Sequence, residues 1–68
     1  MPKKIRELKR ILSKAGFTSR SGKGSHTVWS HTQLPGKQVV LSGNDGDDAK
    51  PYQEKKVHDA VTEVEGEP

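Results

Sequence analysis

The sequence contains no cysteine, which excludes a disulfide framework and any thiolate metal site. It also has no apolar run approaching the roughly 20 residues that cross a bilayer. The basic N-terminal stretch is not followed by the apolar segment of a secretory signal. A reducing, cytoplasmic setting is therefore expected. Aromatics are scarce: Phe17, Trp29 and Tyr52 are the one Phe, one Trp and one Tyr. Leu, Ile, Val and Phe together make 13 of 68 residues, close to the level at which a chain cannot close a core. A chain this short forms at most one domain, expected to span residues 1–68 with an ordered core over about 3–64.

The charge that is present is unevenly spread. Residues 1–40 carry nine Lys/Arg against one acid, Glu7, whereas residues 41–68 carry three Lys against eight acids. The formal net charge of +3 thus hides a strongly basic front and an acidic back. A basic stripe of this kind is the usual electrostatic footprint of a nucleic-acid binder. The competing reading is an ordinary solvated surface, and it is expected to hold for about half of the helical cations.

The apolar residues fall on regular faces. Ile5, Leu8, Ile11, Leu12 and Ala15 recur every three or four residues, which predicts a helix over 3–15. Pro2 suits its first turn and Gly16 its C-terminal cap. "FTSRS" (17–21) reads as a first strand anchored by Phe17. "SHTVWSH" (25–31) reads as a second and "QVVLSG" (38–43) as a third. The turns between them, Gly22-Lys23-Gly24 and "TQLPGK", are of hairpin length, so the strands are antiparallel. "GNDGDDAK" (43–50) does not match the spacing of an EF-hand calcium loop. Its acids are explained as companions of the positive N-terminal end of the helix that follows. Pro51 opens that helix, with Val57, Ala60, Val61 and Val64 on one face and a frayed "EGEP" after it. The predicted class is α+β: an α-β-β-β-α order, with a three-stranded antiparallel sheet and both helices on one face.

Trp29 is the largest apolar side chain and is expected to face the helices. By strand alternation Thr27 and His31 then share its side, and His26 stands on the open face at the start of the second strand. Arg20, Lys23 and Lys37 are candidates to lie near it. An imidazole titrates near working pH and is suited to moving the proton of a ribose 2′-OH. Neighbouring cations suit the charge that gathers on a phosphate, and Gly22 and Gly24 permit close backbone approach to it. A Ser25–His26 acyl-transfer pair is discounted, because adjacent strand residues face opposite ways and no orienting Asp is evident. His31 and His58 are read as a strand-end residue and a solvated helix residue. The three His do not have metal-ligand spacing, so no metal and no cofactor is expected.

The "KAGF" helix end, the "GKGSHTVWSH" element and "VVLSGNDGDDAKPYQEKKVHDAV" together resemble the HicA toxins of bacterial HicA–HicB modules over nearly the whole chain. "GNDGDDAKPYQ" departs from the commoner family form, which has a Pro-His pair after the third strand. The resemblance implies a fold similar to a double-stranded RNA-binding domain. It implies an mRNA interferase, a ribonuclease toxin that arrests translation, whose catalytic histidine maps to His26. It also implies a HicB-like antitoxin that covers the His26 surface, and no metal. RNA contacts are expected, on charge and turn chemistry, from Arg20, Gly22, Lys23, Gly24, Ser25 and Lys37. The second proton-transfer group stays open between Lys23 and solvent water. Two other functions compete with this reading. One is a non-catalytic RNA-binding module; the other is a protein-interaction module using the acidic C-terminal third.

Overall fold

In the computed structural model, which describes residues 2–66, the element order is α1 (Ile5–Lys14), β1 (Thr18–Ser21), β2 (Thr27–Ser30), β3 (Gln38–Leu41) and α2 (Pro51–Glu65). This is the expected α-β-β-β-α arrangement, with the three strands in sequential antiparallel order.

Helix α1 starts later than its pattern suggested. Lys4 is extended and forms the N-cap, Lys3 lies before the helix, and Pro2 lies outside the first turn. Two local bonds fix this start. The Lys4 backbone N–H donates to Glu7 Oε1 at 2.9 Å, and the Glu7 N–H donates to the Lys4 carbonyl at 2.9 Å. At the other end the Phe17 N–H reaches the Leu12 carbonyl at 3.0 Å and the Gly16 N–H reaches the Ser13 carbonyl at 3.1 Å. These two bonds form a Schellman cap, with buried Leu12 and Phe17 as its apolar pair. Gly16 has a φ of 96°, and a Cβ placed there would sit 2.9 Å from His31 Nε2. Glycine is required twice over, once by the left-handed backbone and once by the ring against it.

The register settles which face is which. Trp29 pairs with Val39 and Thr27 with Leu41, and Trp29, Val39 and Leu41 are buried. They join Ile5, Leu8 and Leu12 of α1, Val57 of α2, Phe17 and Ala49 in one core cluster. The intervening residues face the other way: Val28 pairs with both Arg20 and Val40, and Val40 is 40% exposed. Both helices therefore cover one sheet face, and the other is open. The Trp29 indole N–H donates to Thr27 Oγ1 at 3.0 Å, so its polar edge is satisfied within its own strand. His31 packs edge-on against Phe17, with ring centroids 5.1 Å apart, and accepts the Gln33 N–H at 3.0 Å. It is a structural residue at the strand end, as expected.

The acidic loop corrects an expectation. It does not serve the N-terminus of α2; it wraps the N-terminus of α1. The Ile5 N–H donates to the Asp47 carbonyl at 2.9 Å, the Arg6 N–H to the Asp45 carbonyl at 3.2 Å, and the Ala49 N–H to the Lys3 carbonyl at 2.7 Å. Lys4 and Asp48 form an isolated bridge. The N-terminus of α2 is organised by Pro51 at its start and by buried Gln53. Gln53 accepts the Lys50 N–H at 2.8 Å and donates to the Ser42 carbonyl at 3.1 Å. Helix α2 runs through Glu65, and the last two residues of the expected frayed end, 67 and 68, lie outside the described residues.

Two stability outcomes follow. Gly16→Ala forces a left-handed alanine against His31 and is expected to lower unfolding free energy by about 1–2 kcal/mol. Trp29→Ala empties the centre of the core and is expected to cost about 3–5 kcal/mol. Urea unfolding followed by circular dichroism measures both, and equal losses at the two positions would contradict the packing described.

Candidate functional site

The segment between β1 and β2 is a tight turn, and His26 belongs to it. This differs from the expectation of a strand residue: β2 begins at Thr27, so Ser25 and His26 are outside the ladder. The turn has two closures. The Gly22 N–H donates to the His26 carbonyl at 2.9 Å, and the His26 N–H donates to the Lys23 carbonyl at 3.0 Å. Gly24 has a φ of 58°, and no non-glycine residue among those described has a positive φ. A positive φ at the first central position of the 23–26 turn is the mark of a II′ turn, whose usual occupant there is glycine. The turn chemistry, more than strand alternation, thus determines where the imidazole goes.

The His26 side chain is exposed, and its Nδ1 lies 2.9 Å from the Lys23 carbonyl. A carbonyl oxygen only accepts, so Nδ1 carries the proton in this bond and Nε2 of the neutral ring holds a free lone pair. The ring is oriented by the same carbonyl that closes the turn, which couples its direction to the backbone.

His26 lines a cleft of about 360 Å³ formed by three separated segments: the 21–27 turn, Gly43–Asp45 of the acidic loop, and Lys9 of α1. The turn and the loop are joined by the Gly43 N–H, which donates to Ser25 Oγ at 3.2 Å. Loop and helix are joined by Lys9 Nζ and Asp45 Oδ1 at 2.6 Å. The Asn44 N–H donates to Asp47 Oδ2 at 2.9 Å and closes the loop on itself.

The sequence candidates divide accordingly. Gly24, Ser25 and His26 line the cleft together. Gly22 and Lys23 build its turn through backbone groups. Arg20 lies on β1 opposite Val28, on the open sheet face and exposed. Lys37 is not brought to His26. It precedes β3 at the end where Gln38 faces Ser30, roughly 16 Å along the strand from His26, and its ammonium holds both Glu63 oxygens at 3.1 Å. Lys9, Asn44 and Asp45 were not singled out by the sequence. Lys9 looks like any other cation of a basic helix, and Asp45 like a capping acid. Their meeting depends on the loop reaching back to α1. The exposed row Arg6, Arg10 and Lys14 continues the positive surface along the outer side of α1.

No group of three or more potential metal ligands occurs among the described residues. No helix among them is long and apolar enough to cross a membrane. A family model described as the HicA toxin of bacterial toxin–antitoxin systems matches residues 5–60, which takes in every element from α1 to the middle of α2. Neither a curated protein nor a solved structure matches the chain.

The turn geometry makes two measurable claims. Nitrogen NMR of the neutral His26 ring is expected to show the Nδ1–H tautomer, and an Nε2–H tautomer would contradict the Lys23 bond. Ser25→Ala is expected to lower stability by about 1 kcal/mol or less and to speed amide exchange at Gly43, which loses its acceptor.

Proposed function

The chain belongs to the HicA toxin family of bacterial toxin–antitoxin modules, and from that premise we propose that it is an endoribonuclease that cleaves mRNA in the cytoplasm, with His26 as its proton-transfer group. The carrying observation is the Lys23 carbonyl on Nδ1, which leaves the Nε2 lone pair free on an exposed ring that lines a polar cleft.

The reaction suited to that base starts at the ribose 2′-OH. His26 Nε2 takes the 2′ proton as the 2′ oxygen attacks the adjacent phosphorus. A new P–O2′ bond forms, the P–O5′ bond breaks, and the leaving 5′ oxygen takes a proton from water. The products are a 2′,3′-cyclic phosphate and a 5′-hydroxyl. Negative charge builds on the non-bridging oxygens during this exchange, and cations near the cleft lower its energy. The nucleophile is the substrate's own hydroxyl, so one imidazole in a shallow, open cleft is compatible with the chemistry.

To the exposed Arg20 and Lys23 we assign contacts with the RNA backbone around the turn, with Gly22, Gly24 and Ser25 allowing its close approach. Lys37, engaged with Glu63 at the far end of the sheet, is given no part in the cleavage step. A toxin of such a module has an antitoxin for a partner. We assign to a HicB-like antitoxin the surface around His26, since covering it would exclude RNA and base together.

Purified protein incubated with an oligoribonucleotide tests the reading. The parent is expected to cleave, and His26→Ala to lose cleavage by about 10²-fold or more while its unfolding free energy changes by less than about 0.5 kcal/mol. Unimpaired cleavage by folded His26→Ala removes His26 from the chemistry. RNA binding without cleavage by the parent favours the non-catalytic RNA-binding module.

A further inference from the structure

The His26 cleft contains one lysine, and it comes from α1. Lys9 is partly buried, with 27% of its side chain exposed, whereas Asp45 keeps 64% exposed. The ammonium is thus fixed by its packed stem, while the carboxylate stands in solvent at the cleft. Their contact is a charge-assisted bond of 2.6 Å, the kind an ammonium makes equally with a phosphate oxygen.

Asp45 does not need that contact to hold its place. Its backbone carbonyl is bound by the Arg6 N–H, the loop is closed by Asp47 onto the Asn44 N–H, and Asp48 separately holds Lys4. The carboxylate of Asp45 can leave Lys9 without undoing the loop. With its carboxylate largely in solvent, the pair contributes little to folding, so its position beside His26 calls for another account.

We infer that Lys9 is the phosphate-binding cation of the His26 cleft and that Asp45 is its resident counterion, displaced when an RNA phosphodiester enters. This rests on the ribonuclease reading and extends it. Lys9 receives a non-bridging oxygen of the phosphate, and Asp45 swings into solvent. The exchange has a cost, the loss of the internal pair, so the free protein binds RNA less tightly than its cations alone would allow. The effect of Asp45 is exerted through Lys9, making Asp45 a regulating group and Lys9 a substrate-binding one.

The test is binding of a labelled single-stranded oligoribonucleotide, read by fluorescence anisotropy, with every protein carrying His26→Ala so that the RNA stays intact. Lys9→Met is expected to weaken binding about tenfold and to flatten the salt dependence by about one phosphate contact. Asp45→Asn is expected to tighten binding several-fold, and that gain is expected to vanish when Lys9→Met is also present. A purely structural ion pair predicts no gain from Asp45→Asn, so this variant decides the matter even if Lys9→Met folds poorly. A gain that survives without Lys9 is a general charge effect and overturns the exchange. Unchanged binding in both variants, with cleavage intact in proteins carrying His26, overturns the proposal and leaves the ribonuclease reading standing. Absence of RNA binding by the His26→Ala parent overturns both.

Discussion

The return of the acidic loop to α1 is the constraint on which the rest of the molecule depends. Two main-chain carbonyls, of Asp45 and Asp47, accept the N–H groups of Arg6 and Ile5 that the first helical turn leaves without internal partners. This docks the segment after β3 onto the start of the first helix through backbone hydrogen bonds between residues far apart in the chain. The carboxylates of the same loop sit among the cations of the same helix, holding Lys4 and Lys9. An acidic back and a basic front become neighbours, and the charge asymmetry along the sequence is partly cancelled in space.

The cleft is a product of that closure. Gly43 at the loop's start binds Ser25 in the turn before His26, and Asp45 reaches Lys9. Three segments far apart in the chain meet at one concave point, and none would make a site alone. The turn adds orientation, since the carbonyl that closes it also fixes the imidazole tautomer. In a protein with so little apolar material, rigidity at the site comes from backbone hydrogen bonds on glycine-bearing turns, not from a deep core. Trp29 belongs to that core and ties the middle strand to the two helices.

The element order, the strand faces and the core were legible in the sequence because each rests on local periodicity. Trp29, Val39 and Leu41 alternate inward as their spacing requires, and Leu8 and Leu12 lie on one helical face. Gly16 was legible as a cap for the same local reason. Three features were not. Pro2 falls outside the helix because Lys4 and Glu7 cap it later, a contest between neighbouring start signals. The docking of the acidic loop on α1 and not on α2 is another, because charge alone does not say which N-terminus a loop reaches. Gln53 is buried yet polar, and only its bonds to Lys50 and Ser42 explain it. For the site, the glycine turn and His26 were readable as a motif, whereas Lys9 and Asp45 required the tertiary closure.

In the proposed reaction His26 acts on the RNA's own 2′-hydroxyl. The most direct measurement compares two oligonucleotides that differ only by a single 2′-deoxy residue at a mapped cleavage position, with analysis of the product ends. The all-ribose strand is expected to yield 2′,3′-cyclic phosphate and 5′-hydroxyl ends, with no cut at the deoxy position. Equal cleavage of both, or 5′-phosphate ends, would mean that water is the nucleophile and would contradict it.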